Sequence, residues 1–104
     1  MKSVLPRVLN VRDYRHVGLP PGAVYIGRAS PRYALRTSKW ANPFMIERDG
    51  ARDEVIMMYE RWLRDERPDL MAALSELRGC DLVCWCAPLA CHGDVLLRLA
   101  NAAL

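Results

Sequence analysis

The chain has one phenylalanine, two histidines and no internal repeat, and its apolar runs all stop far short of the width of a bilayer. Those absences exclude a membrane-spanning helix and a solenoid of stacked repeats. The opening "MKSVLPRVLNV" has no long apolar stretch and no small-residue cleavage pattern. A secretory signal is therefore not expected, and the cytoplasm is the expected location. In a reducing compartment, four cysteines read as thiols, metal ligands or nucleophiles rather than as two disulfides.

Acid is the other thing missing. No Asp or Glu occurs from Tyr14 to Ile46, a stretch that holds Arg15, Arg28, Arg32, Arg36 and Lys39. Residues 1–50 carry nine Lys or Arg against three acids, and residues 51–104 carry six against nine. The net charge of +3 thus conceals two halves of opposite sign. An uncompensated basic stretch points to an anionic partner, nucleotide or nucleic acid first, with a solvated basic surface as the plain alternative. No membrane partner is expected.

What is present fits one domain of 104 residues, enough to bury a core without staples. "RVLNVR" (7–12) alternates like a short strand, and "GLPPG" (18–22) breaks regular structure. "AVYIGR" (23–28) is β-branched and aromatic, so a second strand is expected there, ended by Gly27. Residues 29–50 show no periodicity and contain Pro31 and Pro43, a loop long enough to be functional. A helix is expected from Ala51 to about Glu66, with Val55, Met58, Tyr59, Trp62 and Leu63 on one face. Pro68 starts a second helix lined by Leu70, Met71, Leu74 and Leu77, and Gly79 ends it. "DLVCWC" (81–86) reads as a buried strand, and a last helix runs from Gly93 to about Ala103, with Leu96, Leu97, Leu99 and Ala100 inward. The expectation is a single α/β domain over residues 1–104. About three strands in a small, partly parallel sheet are flanked by three helices.

Three of the four cysteines and one of the two histidines lie between Cys84 and His92. Strand alternation puts Cys84 and Cys86 on one face and Trp85 on the other. The chain then turns through "APLA" and enters the last helix at Cys91, His92 and Gly93. The first turn of a helix offers unpaired N–H groups that favour anions and thiolates. Cys91 is accordingly the expected reactive thiol, with His92 as its acid or base and Cys86 as a further catalytic candidate. Gly93 would let a ligand approach the backbone, and Asp94 stands in the same turn. Core packing is the plain reading of Cys84 and Cys86.

A metal is the competing reading, since Cys84, Cys86, Cys91 and His92 offer four soft ligands. Adjacent Cys91 and His92 should close poorly around one ion, so no cofactor is expected, with zinc as the alternative. In the long loop, Arg28 and Lys39 are the expected phosphate contacts. Trp40 is a candidate stacking surface and Asn42 a candidate base-edge contact. If the strands run parallel, Arg28 and the cysteine turn share one edge of the sheet.

The stretches "VYIGR" (24–28), "SKWANPF" (38–44), "YERWL" (59–63) and "DLVCWCAPLACHGDVL" (81–96) resemble the family called Domain of Unknown Function 4326, from about Val8 to Ala102. The resemblance implies a small bacterial or bacteriophage protein with no established activity, located in the host cytoplasm if phage-encoded. Its motif positions here are Arg28, Lys39, Trp40, Asn42, Pro43, Cys84, Trp85, Cys86 and the run Cys91 to Asp94. The leading functional expectation is a nucleotide- or nucleic-acid-directed site at the N-terminus of the last helix. The alternatives are a non-catalytic phage module that binds a host protein or nucleic acid, and a metal-stapled adaptor.

Overall fold

The computed structural model describes residues 5–102. Strand β1 (Val8–Asn10), strand β2 (Val24–Tyr25), helix α1 (Arg52–Glu66), helix α2 (Pro68–Ala73), strand β3 (Leu82–Cys84) and helix α3 (His92–Asn101) follow in that order. The three strands form one parallel sheet in the order β1-β3-β2, with Leu82 opposite both Val8 and Val24. The sheet is parallel throughout, which refines the expectation of a partly parallel one.

The strands are shorter than the apolar runs suggested, and side chains explain where each one stops. Asn10 ends β1 because its Oδ1 accepts the Arg12 N–H at 2.9 Å, which starts a 3-10 turn over Val11–Tyr14. The other end of that amide stops β3. Asn10 Nδ2 donates to the carbonyl oxygens of Trp85 at 3.1 Å and Ala87 at 2.8 Å, so these groups no longer face a ladder. Beyond β2, Ile26 N–H still donates to Val83 C=O at 2.9 Å before the chain leaves the sheet at Gly27.

Each face of the sheet carries its own apolar cluster, as alternation along β3 requires. Leu82 and Cys84 face the helices, where they meet Ile26, Tyr59, Leu63, Leu70, Leu77 and Leu96. Val83 and Trp85 face the other way, against Leu9, Val11, Tyr25, Tyr33 and Leu35 from strands and loops. On α1 most of the expected apolar stripe is present: Val55, Tyr59 and Leu63 are buried and Trp62 is half-buried at its margin, but Met58 is only half-buried and Ile56 packs on the core instead. The second expected helix is regular only to Ala73 and tightens into a 3-10 turn over Leu74–Leu77, before Gly79 at φ +75°. In α3, Val95 joins Leu96 and Ala100 in the core, while Leu97 and Leu99 are only half-buried.

Residues 29–50 form the irregular loop expected of them, containing a 3-10 turn at Pro31–Tyr33 and two isolated bridges. Among the described residues, no helix is long and apolar enough to cross a membrane.

Candidate functional site

Parallel pairing brings the ends of β2 and β3 to one edge, and there the structure opens a cleft of about 320 Å³. Arg28 comes from the end of β2, Cys84 and Cys86 from β3 and its continuation, Arg52 from the first turn of α1, and Cys91 and His92 from the start of α3. Phe44, Met45, Ile46, Val55 and Ile56 supply apolar wall, and Trp85 borders the cleft while its ring packs on the opposite face of the sheet. Among the described residues, no carboxylate lines the cleft.

Arg28 is set in place twice. Its backbone carbonyl accepts the Tyr25 hydroxyl at 2.6 Å, and that hydroxyl in turn accepts Trp85 Nε1–H at 2.8 Å. A Cβ on Gly27 would lie 2.6 Å from the Tyr25 hydroxyl, so glycine is what lets the tyrosine fold back over the chain. The guanidinium donates through Nη2 to the carbonyls of Asn42 at 2.7 Å and Phe44 at 3.0 Å, which ties the long loop to the sheet edge. Arg52 anchors the facing wall by donating from Nη1 to Ala90 C=O at 3.0 Å.

The three sulfur atoms of Cys84, Cys86 and Cys91 all lie within 4.8 Å of one another. Cys84 and Cys91 are buried, their sulfurs 3.2 Å apart, while Cys86 is half-buried. Backbone N–H groups point at the buried pair: Cys86 N–H at Cys84 Sγ (3.4 Å) and Gly93 N–H at Cys91 Sγ (3.3 Å). Three such thiols share protons unevenly. Hydrogen bonds given to its neighbours, together with burial, hold the protons on Cys91 and Cys84 and push both thiols up. The sulfurs of Cys84 and Cys91, with the Arg52 guanidinium nearby, draw the Cys86 thiol down. Cys91, the thiol expected to react, is buried, and Cys86 is the more exposed sulfur of the three. Cys91 is the N-cap of α3 and is buried among apolar side chains, where burial and its neighbours outweigh the helix terminus.

The mouth of α3 is filled by the chain itself. Cys91 N–H donates to the Asp94 carboxylate at 2.9 Å, while Gly93 N–H donates to the Cys91 sulfur, a reciprocal capping arrangement. Asp94 is thus a cap. Gly93 is buried and faces the sheet, where a Cβ would meet Ile26 at 2.9 Å and Val8 at 3.0 Å; its role is close helix–sheet packing. His92 is buried, with Nε2 2.8 Å from the Ile26 carbonyl and its ring edge-on to Tyr59 at 4.8 Å. A carbonyl can only accept, so Nε2 carries the proton. Burial pushes the imidazole pKa down and keeps the ring neutral.

The loop residues divide. Arg28 and Asn42 line the cleft, although the Asn42 amide is taken: Nδ2 donates to Val55 C=O at 3.2 Å and Oδ1 accepts the Phe44 N–H at 2.9 Å. Lys39 lies outside the cleft, ion-paired with Glu76 at 2.8 Å on the surface. Trp40 is 2% exposed in the main core, its carbonyl accepting the Tyr59 hydroxyl at 2.7 Å, so it offers no face for stacking. Asn10, Tyr25 and Arg52 were missed in the sequence. Arg52 carries the only weak signal, a cation in the first turn of a helix, where acids are the rule.

The adjacency of Cys91 and His92 does not strain the sulfur cluster, because a turn closed by Leu89 N–H to Cys86 C=O at 2.8 Å folds Cys91 back onto the strand. His92 stands outside the trio.

Fold and site together define a small parallel α/β domain with a three-cysteine, two-arginine cleft at the carboxyl edge of its sheet. The chain belongs to the family described as Domain of unknown function (DUF4326), whose model matches residues 9–102. No curated protein and no solved structure matches the chain.

Proposed function

We propose that the cleft binds a small molecule carrying a phosphate or similar anionic group on a flat, apolar body, a nucleotide being the first candidate. One observation carries the reading: two guanidiniums from facing elements line a cleft that no carboxylate among the described residues lines. Guanidiniums bind phosphate oxygens in forked, charge-assisted pairs. Arg28 uses only Nη2 on the loop carbonyls, which leaves Nε and Nη1 for a ligand. The volume of about 320 Å³ is at the small end of ligand pockets, which start at about 300 Å³. Phe44 and Ile56 give a base-like ring apolar wall.

The anion meets the arginines rather than the mouth of α3, whose capping is internal. Cys86 is the reactive group such a ligand would encounter, and it gives the site its candidate nucleophile.

Thermal melts with inorganic phosphate and with nucleoside monophosphates test the reading. A ligand at a hundred times its Kd adds about 2.7 kcal/mol of stability, and added sodium chloride should erode the gain. Arg52→Ala should remove most of it, and Arg28→Ala should remove it with some loss of basal stability through the freed loop. No stabilisation of the wild type, or equal stabilisation of an Arg28→Ala/Arg52→Ala double variant, would overturn the proposal.

A further inference from the structure

The convergence of three sulfurs is a separate observation from the arginines, and it points to a second kind of ligand. Tetrahedral zinc with sulfur bonds of about 2.3 Å needs its thiolates about 3.8 Å from one another. Here the Cys84 and Cys91 sulfurs are 3.2 Å apart and no pair exceeds 4.8 Å, so shifts of a few tenths of an ångström to about one ångström bring all three to that spacing. Packing alone does not require such a trio, since a core sulfur needs only apolar neighbours.

The surroundings suit thiolates bound to a cation. N–H groups of Cys86 and Gly93 already point at two of the sulfurs, as the outer hydrogen bonds of metal–thiolate sites do. A divalent ion with three thiolates carries one net negative charge, and the N-terminus of α3, capped by Cys91, together with Arg52 in the same cleft offsets it. A fourth protein ligand is not in the trio: His92 directs Nε2 to Ile26, and no carboxylate among the described residues lines the cleft. The remaining coordination position opens into the cleft, as in zinc sites that act on a ligand rather than staple a fold.

We propose that Cys84, Cys86 and Cys91 bind one thiophilic divalent ion of the zinc type, with the fourth position facing the cleft. Binding replaces the thiol protons, which leave to solvent, and involves no electron transfer. Only the statement about the fourth position rests on the ligand-cleft reading; the three-sulfur site stands on the sulfur geometry alone.

Titration of the reduced, metal-free chain with Co²⁺ tests this directly. The expected result is one Co²⁺ per chain, with thiolate charge-transfer absorption and the intense visible bands of a tetrahedral site, all displaced by Zn²⁺. Cys80→Ser should leave the spectrum unchanged, and Cys86→Ser should abolish or strongly alter it. Cys86 is the half-buried member, so that variant tests the site even if Cys84→Ser and Cys91→Ser fail to fold. Imidazole or inorganic phosphate should shift the visible bands by entering the fourth position. Absence of thiolate-to-cobalt absorption, or a spectrum that survives Cys86→Ser, overturns the metal site. Bands indifferent to both added ligands overturn the open position. Phosphate stabilisation of the metal-free chain is read separately, so the anion cleft and the metal site can fail independently.

Discussion

Asn10, the last residue of β1, donates its side-chain amide to the carbonyl oxygen of Ala87 at 2.8 Å, joining positions 77 apart in sequence. The same amide holds Trp85 C=O at 3.1 Å, so one side chain fixes the turn on which Cys86 sits. Asn10→Ala leaves both carbonyls without that partner and should lower unfolding stability by about 1–3 kcal/mol. Denaturant melts measure the loss. An unchanged midpoint would mean that water replaces the amide at no disadvantage.

Gly93 makes the closest approach of α3 to the sheet. Gly93→Ala places a methyl 2.9 Å from Ile26, 3.0 Å from Val8 and 3.2 Å from the Cys91 sulfur. Either the helix shifts outward or Ile26 and Val8 repack, which should destabilise the chain by about 1–3 kcal/mol. Wild-type stability for this variant would contradict the packing role and return Gly93 to the ligand side.

Much of the fold was legible in the sequence, because periodicity reports burial. Helix α1 and the opposite facing of Cys84 and Trp85 follow from spacing alone. The end of β3 was not legible, since the amide that stops it belongs to Asn10, whose partners there lie more than seventy positions away. The site was half legible. Arg28 and the cysteines announced themselves by composition and by place along the strands. Trp40 and Lys39 looked alike as loop residues, yet one is core and the other a surface ion pair, a distinction only tertiary packing makes. The burial of Cys91 was not legible either: it is the N-cap of α3, yet it packs among apolar side chains, where its sulfur neighbours and burial push the thiol up.

Thiol labelling separates the cysteines. Cys84 and Cys91 are 2% and 3% exposed, whereas Cys86 and Cys80 are half-buried. Limited iodoacetamide treatment near neutral pH should modify Cys86 first, because it is the most exposed sulfur of its cluster and the nearby Arg52 guanidinium draws its thiol down. Arg52→Ala should slow that reaction. Peptide mapping that finds Cys80 or Cys91 modified first would contradict the assignment.

Acid sensitivity should pass through Glu60, which joins α1 to α3. Burial pushes its carboxyl up, but the hydrogen bonds and charges of Arg64 and Arg98 outweigh this and hold it below the ordinary value of 4.5. A carboxyl lower in the folded chain than in the unfolded one stabilises fully above the unfolded value, and that contribution is lost as pH falls through the folded one. Glu60→Gln should therefore flatten stability below about pH 4.5 and remove about 0.2–1 kcal/mol at neutral pH, as expected of a partly exposed ion pair. Stability measured against pH checks both. An acid limb as steep in the variant as in the wild type would place the titrating group elsewhere.

The most direct test of the anion cleft is a nuclear magnetic resonance titration of the ¹⁵N-labelled chain with a nucleoside monophosphate. It follows the Nε–H signals of Arg28 and Arg52 and the backbone amides of Cys86 and Ala90. The expected result is saturable movement of both arginine signals and both amides along one binding curve, weakened by sodium chloride, with Lys39 and its neighbours unmoved. Movement confined to Arg15, Arg32 and Arg36, or no saturable movement at Arg28 and Arg52, would contradict it.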